Sequence, residues 1–467
     1  MELTYSEAVE GLQKEFKDCG DFQLGELTVG ENRLAAAFFR GMCDRTAVSE
    51  TVLRPLLARL REGGFDGNFG AVLYGGGLSF PASGKEISQA LLRGEVFLAV
   101  ETQGGVFFCL AAAYAGVHRA VTQPETDVTL RGPRLGFVED GDKSMVMLRQ
   151  FLRTGDLKFV SLYAGEVSRT RITLAYLESR ADLSLVEDLK KKISARKPAS
   201  VMDAGYLELL LQGKKNPLFP LMGSTEKVDK AASKLLAGRV ALLVDGSPFV
   251  LTAPYVFWEG LQSAEDYLRT PYYATAVRCL RFLALLLAVF LPALFVALGE
   301  FHPHLLPEAI RENLGASREG LPFPLFWECF FSLMVFELVR EVGVRMPRTV
   351  GDAVGLVASI ILGDAAVEAG LASTLVIMAV ALSAVCAFIV PAFMYATALL
   401  RFSFLFLGGF FGLPGICLGV CLLVALLSAE ESFAVPYLSP LSPPNPKGME
   451  DLLLTLPKKT LGRREEL

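Results

Sequence analysis

Apolar residues are spread unevenly along this chain: up to about Ala274 they come in short runs at strand or helix spacing, and beyond it in long, nearly unbroken stretches. In the first half, Val52 to Leu60 has the spacing of an amphipathic helix, and Ile87 to Leu92 predicts a second helix stopped near Gly94. Val96 to Val100 and Val106 to Ala111 read as strands of a hairpin turned by Gln103-Gly104-Gly105. The same succession then returns. Leu183 to Ile193 and Ala231 to Leu236 predict helices, the second ending before Gly238, and Val240 to Val244 with Phe249 to Leu251 predict a hairpin around Asp245-Gly246-Ser247-Pro248.

That return is an internal repeat. Gly20-Asp21-Phe22 matches Gly155-Asp156-Leu157, and Gly30 matches Gly165. RLAAAFF from Arg33 matches RITLAYL from Arg171, and LLRGEVFLAV from Leu91 matches LLAGRVALLV from Leu235. The anchors keep one order, with the small drift that loop insertions produce. The expected fold class is therefore a soluble α/β N-terminal domain of two tandem similar subdomains, followed by an α-helical polytopic membrane domain. The expected boundaries are 1–130 for the first subdomain, 131–150 for a linker carrying RGPRLGF, 151–262 for the second subdomain, 263–428 for the membrane domain and 429–467 for a polar C-terminal tail.

In the membrane half, Ala284 to Leu298 completes a first span containing Pro292, and Arg269, Arg278 and Arg281 before it place its start on the cytosolic side. Leu325 to Val339 is a second apolar run, interrupted by Glu328 and Glu337. Glu337 can pair with Arg340 at i+3, and Arg340, Arg345 and Arg348 return this end to the cytosol. Leu371 to Tyr395, with Pro391, and Phe402 to Leu427 are expected as further spans. In the last, Gly408, Gly412, Gly415 and Gly419 form two GxxxG units around Pro414 that let helices approach closely.

Between them lies VGDAVGLVASIILGDAAVEAGLAS (Val350 to Ser373), long enough to span but carrying Asp352, Asp364 and Glu368, with Gly351 and Gly355 as close-packing positions. About nine Val, Leu and Ile residues each gain roughly 0.3–0.6 kcal/mol on insertion, whereas each carboxylate costs about 2.5–3.5. Lipid alone cannot host this segment. It must lie against protein or water, either as a full span or as a re-entrant segment over 350–371; four full spans plus this one put Lys458, Lys459, Arg463 and Arg464 inside, whereas a fifth span puts Arg401 there.

Composition adds little that changes this picture. The net charge of −5 is small and the basic residues are scattered, so nothing points to nucleic acid. Eight cysteines form no CxxC pair and read as small hydrophobes in a reducing compartment. The polar, acidic start MELTYSEAVEGLQKEF lacks the pattern of a secretory signal peptide, so the N-terminal half is expected in the cytosol. No catalytic constellation emerges: Gly84-Lys85 is followed by Glu86 where a phosphate loop needs Ser or Thr, Ser247 sits in a hairpin turn, and His302 with His304 lack further ligands for a metal. No enzyme activity, cofactor or metal is expected. Arg131 and Arg134 in RGPRLGF either stiffen a linker by pairing with acids such as Glu139 or make a subunit contact.

Several blocks carry a resemblance. REVGVRMPRTVGDAVG from Arg340, LGDAAVEAGLAS from Leu362 and FAVPYLSPLSP from Phe433 resemble signature blocks of the A subunit of the GerA family of spore germination proteins. So do RGPRLGF, STEKVDKAASKLLAGRVALLVDGSPFVL, FWEGLQSAEDY, FHPHLLPEAI and LPFPLFWE. The family includes nutrient-receptor A subunits and a paralogue associated with the dipicolinate-release proteins, and the blocks fit both. The resemblance implies a multi-pass protein of the spore inner membrane with its N-terminal domain on the cytosolic or core side. It also implies a homo-oligomeric ring that passes cations when a germinant binds, acting with a transporter-like B subunit and a lipoprotein C subunit. This chain departs from the family pattern at Asp352 and Asp364, where glutamine is common, and at Ser144 and Arg149-Gln150-Phe151, where an asparagine and three arginines are usual.

On the residues themselves, Asp352, Asp364 and Glu368 are the candidate polar lining, since Asp364 and Glu368 share a helical face and rings of carboxylates concentrate cations. Glu328, Glu337, Arg340 and Arg345 are further intramembrane candidates. The alternative for the acids is helix capping and ion pairing with Arg340 or Arg345. The alternative for the whole protein is a non-conducting scaffold that assembles partners through its α/β domain.

Overall fold

The computed structural model describes residues 4–63, 65–73, 77–112, 133–196, 198–212, 217–345, 361–444 and 452. The chain divides into an α/β unit, Met1–Asn216 with Met222–Pro254, and a helical unit, Pro217–Leu221 with Tyr255–Arg464. The boundary expected at residue 262 falls instead at Tyr255, because Tyr255, Phe257 and Trp258 join a core with Phe219, Phe393 and Tyr437. The same core corrects the expected polar tail from residue 429. Tyr437 is fully buried there, and the Phe257 N–H donates to its carbonyl at 2.9 Å.

In the α/β unit, α1 (Tyr5–Glu15) starts from a capping box in which Thr4 and Glu7 satisfy each other's backbone N–H groups. β1 (Phe22–Val29) and β2 (Asn32–Phe39) form a hairpin. α2 (Arg45–Ala47) then runs through a widened turn, Val48–Leu53, into α3 (Arg54–Arg61). After β3 (Leu78–Ser79), α4 (Gly84–Arg93) stops where Gly94 adopts φ +94°, a left-handed conformation that glycine takes without steric cost. β4 (Glu95–Thr102) and β5 (Gly105–Ala112) complete an antiparallel sheet of order β1-β2-β4-β5-β3. Both faces of β2 are covered: Ala35, Ala37 and Phe39 pack into one cluster and Leu34 and Ala36 into another. That double burial explains its continuous apolar sequence.

The elements then recur as α5 (Gly141–Phe151), β6 (Leu157–Ala164), β7 (Thr170–Leu177), α6 (Leu183–Ala195), α7 (Ala204–Gln212), β8 (Gly223–Thr225), α8 (Val228–Leu236), β9 (Val240–Val244) and β10 (Val250–Ala253). Their sheet has the order β6-β7-β9-β10-β8, the same arrangement as the first. The sheets are joined where the chain passes Gly20. Its N–H donates to Phe159 O at 2.9 Å, and a Cβ at Gly20 would lie 2.7 Å from that oxygen. Beside it Arg149, 0% exposed, sends Nε and Nη2 to the two oxygens of Asp21 at 3.0 and 2.8 Å and Nη1 to Thr154 O at 2.9 Å. The guanidinium also lies over the rings of Phe39 and Phe159.

On α7, burial pushes the Glu208 carboxyl up to about 7, although Gln212 Nε2 donates to it at 3.0 Å. A carboxyl raised on folding contributes stability that is complete below its unfolded value and is lost as pH rises through its folded one. Glu208→Gln should therefore match the wild type near pH 4.5 and exceed it in thermal stability at pH 8. Melting curves that stay superimposed across that window would refute the expectation.

The helical unit comprises α9 (Pro271–Glu300), α10 (Glu308–Ser317), α11 (Leu325–Arg345), α12 (residues 361–368), α13 (Thr374–Phe388) and α14 (Met394–Ala429). By length and composition, Pro271–Glu300 and Pro391–Ala429 could each cross a bilayer. α9 begins earlier than Ala284 because Pro271 suits the first helical position and Arg278 and Arg281 are anchored on Asp266 at 3.1 and 2.7 Å. Leu371 to Tyr395 is not one helix: α13 ends at Phe388, Val390 leaves helical geometry at φ −125° and ψ 72°, and Pro391 opens a 3-10 turn, as a residue lacking its N–H requires.

The single span expected over Phe402 to Leu427 is also two helices. Gly412, at φ +64° and ψ −150°, lies outside helical geometry, and the chain reverses there. A Cβ on Gly419 would lie 2.6 Å from the Phe404 ring, and one on Gly408 would lie 3.2 Å from Ile416 Cδ1. In a straight helix residues 404 and 419 would stand roughly 22 Å apart. α14 is thus an antiparallel pair of arms, 394–411 and 413–429.

A candidate polar site in the helical unit

Among the described residues, the charged side chains buried in this unit are Asp266, Arg278, Glu328 and Arg401, and α11 adds Glu337 and Arg340, both half-buried. Glu328 sits in the first turn of α11, where a carboxylate opposes the positive end of the helix dipole, and is 1% exposed. Its Oε1 accepts from Arg318 Nε at 3.0 Å and its Oε2 from the Ser373 N–H at 3.1 Å, so both oxygens tie α11 to flanking segments. Nine residues on, Glu337 Oε2 lies 2.6 Å from Arg340 Nη2, and Oε1 lies 3.6 Å from Arg401 Nη1.

Arg401, in the first arm of α14, is 1% exposed. A guanidinium can be buried only if carboxylates or carbonyls receive its donors. Nε donates to Ala288 O at 3.0 Å and Nη2 to Ser383 O at 3.4 Å, while Ser383 Oγ donates to the same Ala288 O at 2.9 Å. Proline explains the acceptor. In a helix the Ala288 carbonyl would receive the N–H of residue 292, but that residue is Pro292, which has none. α9, α13 and α14 therefore meet on one carbonyl freed by a proline, and α11 adds Glu337. Arg401 Nη1 and Glu337 Oε1 face each other without a hydrogen bond among the described residues.

Of the other candidates, Asp364 and Glu368 lie exposed on α12, one helical turn apart and beside exposed Ile361 and Leu362. Neither forms an ion pair among the described residues. The pairing considered as an alternative goes elsewhere: Arg340 pairs with Glu337, and Arg345 with Glu341 at 2.7 Å on the surface. Asp352, Gly351, Gly355 and Arg131 lie outside the described residues. Arg134 is exposed, in a segment pinned to the second sheet by the Phe137 N–H, which donates to Glu226 O at 2.7 Å. That segment thus pairs with the stretch between β8 and α8, and α5 begins at Gly141, within the 131–150 expected as a linker.

The glycines divide their tasks. A Cβ on Gly408 would lie 2.8 Å from Ala293 O, so this glycine brings the first arm of α14 against α9; Gly415 and Gly419 face the first arm from the second, and Gly412 makes the turn. Sequence reasoning missed the roles of Ser383, Arg318, Pro292 and Arg401. The available signal was a lone arginine between apolar runs, FMYATALLRFSFLFL, together with a proline inside another apolar run.

Comparison with known proteins places these features in context. Residues 10–467 match the family model described as Bacillus/Clostridium GerA spore germination protein. The chain is 32% identical over 453 residues to spore germination protein KA of Bacillus subtilis (strain 168), covering 95% of this chain and 83% of that one. It is 31% identical to the uncharacterized membrane protein YfkQ of the same organism, covering 98% and 90%. The crystal structure of the N-terminal domain of the A subunit of the Bacillus megaterium spore germinant receptor GerK3 aligns with 55% of this chain and 97% of its own, at 24% identity and a TM-score of 0.42.

Proposed function

Because the chain belongs to the GerA family of spore germination proteins, we propose that it is a membrane subunit of a germination receptor complex, and that it assembles into a ring conducting cations when a germinant acts. The observation that carries this reading is the exposure of Asp364 and Glu368 on one face of α12 amid apolar neighbours. Carboxylates in such a setting are costly against lipid and acceptable beside water or a second copy of the chain. A ring would repeat both acids around an axis and concentrate cations there. In this reading the helical unit crosses the spore inner membrane several times, the two sheets of equal strand order are tandem copies of one subdomain on the core side, and a B subunit and a lipoprotein C subunit complete the receptor.

Asp364→Ala combined with Glu368→Ala, at normal protein level in sporulating cells, should slow potassium release after nutrient addition by about tenfold or more, as expected when a ring of charges lining a pore is lost. Release at the wild-type rate would remove both residues from the conducting path.

A second reading has its own observation. The buried Arg149–Asp21 pair locks the two sheets into one body, which suits a scaffold on which partners assemble while another subunit conducts. The purified chain in planar bilayers separates the two: a scaffold carries no cation current.

A further inference from the structure

We propose that Arg401 is a positioning residue that holds the helical unit in its non-conducting arrangement, with Pro292 supplying the acceptor it depends on. The proposal rests on the reading of the chain as a gated conductor and deepens it by naming what keeps the gate shut.

The geometry is specific. Arg401 reaches the backbone of α9 through Ala288 O and of α13 through Ser383 O, and approaches α11 through Glu337. Ser383 closes the triangle by donating to the same Ala288 oxygen. One side chain thus fixes the relative placement of four helices. α11 leads in sequence toward the segment with Asp352 and Asp364, and α14 leads to the reversal at Gly412.

The network is also poised. Glu337 is held closely by Arg340 at 2.6 Å and loosely by Arg401 at 3.6 Å, leaving Arg401 Nη1 and Glu337 Oε1 without hydrogen bonds. One buried guanidinium, of Arg401, and one half-buried, of Arg340, share one carboxylate. A small shift of α11 toward α14 closes the 3.6 Å gap and completes the pair between Glu337 Oε1 and Arg401 Nη1, so the unit has a second arrangement close to the first, as a switch requires. The closed arrangement is the one in which Ala288 O, freed by Pro292, holds Arg401.

Pro292→Ala isolates this role because it removes no charge and no donor. It restores an N–H at residue 292 that competes with Arg401 for Ala288 O, while replacing a helix-interior proline by the best helix former. A purely structural proline would give a variant at least as stable and otherwise unchanged. The full chain, reconstituted in vesicles with spin labels at the exposed positions Leu338 and Leu399, supplies two readouts: potassium leak without germinant and the distance between α11 and α14.

Pro292→Ala should retain or raise the unfolding temperature, raise the leak by about tenfold, within the range of coupling between linked sites, and shift the distance. Glu337→Gln should do the same by loosening the other side of the network. A shifted distance with no leak in any variant sinks the conducting reading and leaves the positioning role supported. Leak and distance both equal to wild type in Pro292→Ala and Glu337→Gln overturn the proposal.

Discussion

Asp21→Ala should destabilise the α/β unit by about 3–5 kcal/mol, the range for breaking one side of a buried ion pair. The guanidinium of Arg149 has no exposure, and two of its three nitrogens end on the Asp21 carboxylate. Truncating the aspartate strands that charge between Phe39 and Phe159, which cannot accept its hydrogen bonds. Asp21→Leu together with Arg149→Met should recover most of the loss, because the rings around the pair suit an apolar filling and the desolvation penalty disappears. Denaturant titrations of the full chain in detergent compare the variants. A loss below about 1 kcal/mol for Asp21→Ala would mean that the pair behaves like a solvated surface bridge.

The largest conformational effect is expected at Gly412. With φ +64° and ψ −150° it occupies a region essentially reserved for glycine, and a Cβ there would lie 3.1 Å from both Phe301 and His302. Gly412→Ala should therefore open the reversal. Uninterrupted, α14 would extend about 54 Å, well beyond the roughly 30 Å of a bilayer's hydrocarbon core, so straightening should be accompanied by loss of helical packing. Spin labels at the exposed positions Leu399 and Val424 report it directly. They sit at matching heights on the two arms and should be within about 15 Å in the native chain, against roughly 37 Å along a continuous helix. A long distance in the unsubstituted protein would rule out the antiparallel arms.

These two positions show what the amino-acid pattern does and does not reveal. The hairpins around Gly104-Gly105 and Asp245 to Pro248 are legible because strand alternation and turn residues agree locally. The reversal at Gly412 is not legible from hydropathy, since both arms are apolar and the reversal leaves the average unchanged. Its only local trace is a glycine two residues before Pro414. α5 escapes detection for a similar reason: Ser144 to Arg149 are all buried, so no polar stripe marks a helix period. Arg149 illustrates a further limit. Against the family pattern it looks like the remnant of a weakened arginine block, whereas its actual partner is Asp21, far away in sequence. In the polar site, the i+3 pairing of Glu337 with Arg340 can be read from spacing. The convergence of Arg401 and Ser383 on Ala288 cannot, because it depends on how three separate helices pack.

The folded-back α14 also bears on bookkeeping of sides. A run of 36 residues that looks like one crossing, or two, returns the chain to the end from which it set out: Phe393 and Tyr437 lie in one aromatic cluster with Phe257. Its parity is even. The second arm retraces the path of the first, so Tyr395 and Glu430 lie at the same end of the pair. Reading this apolar run as one straight rod would put everything that follows at the opposite end of the pair.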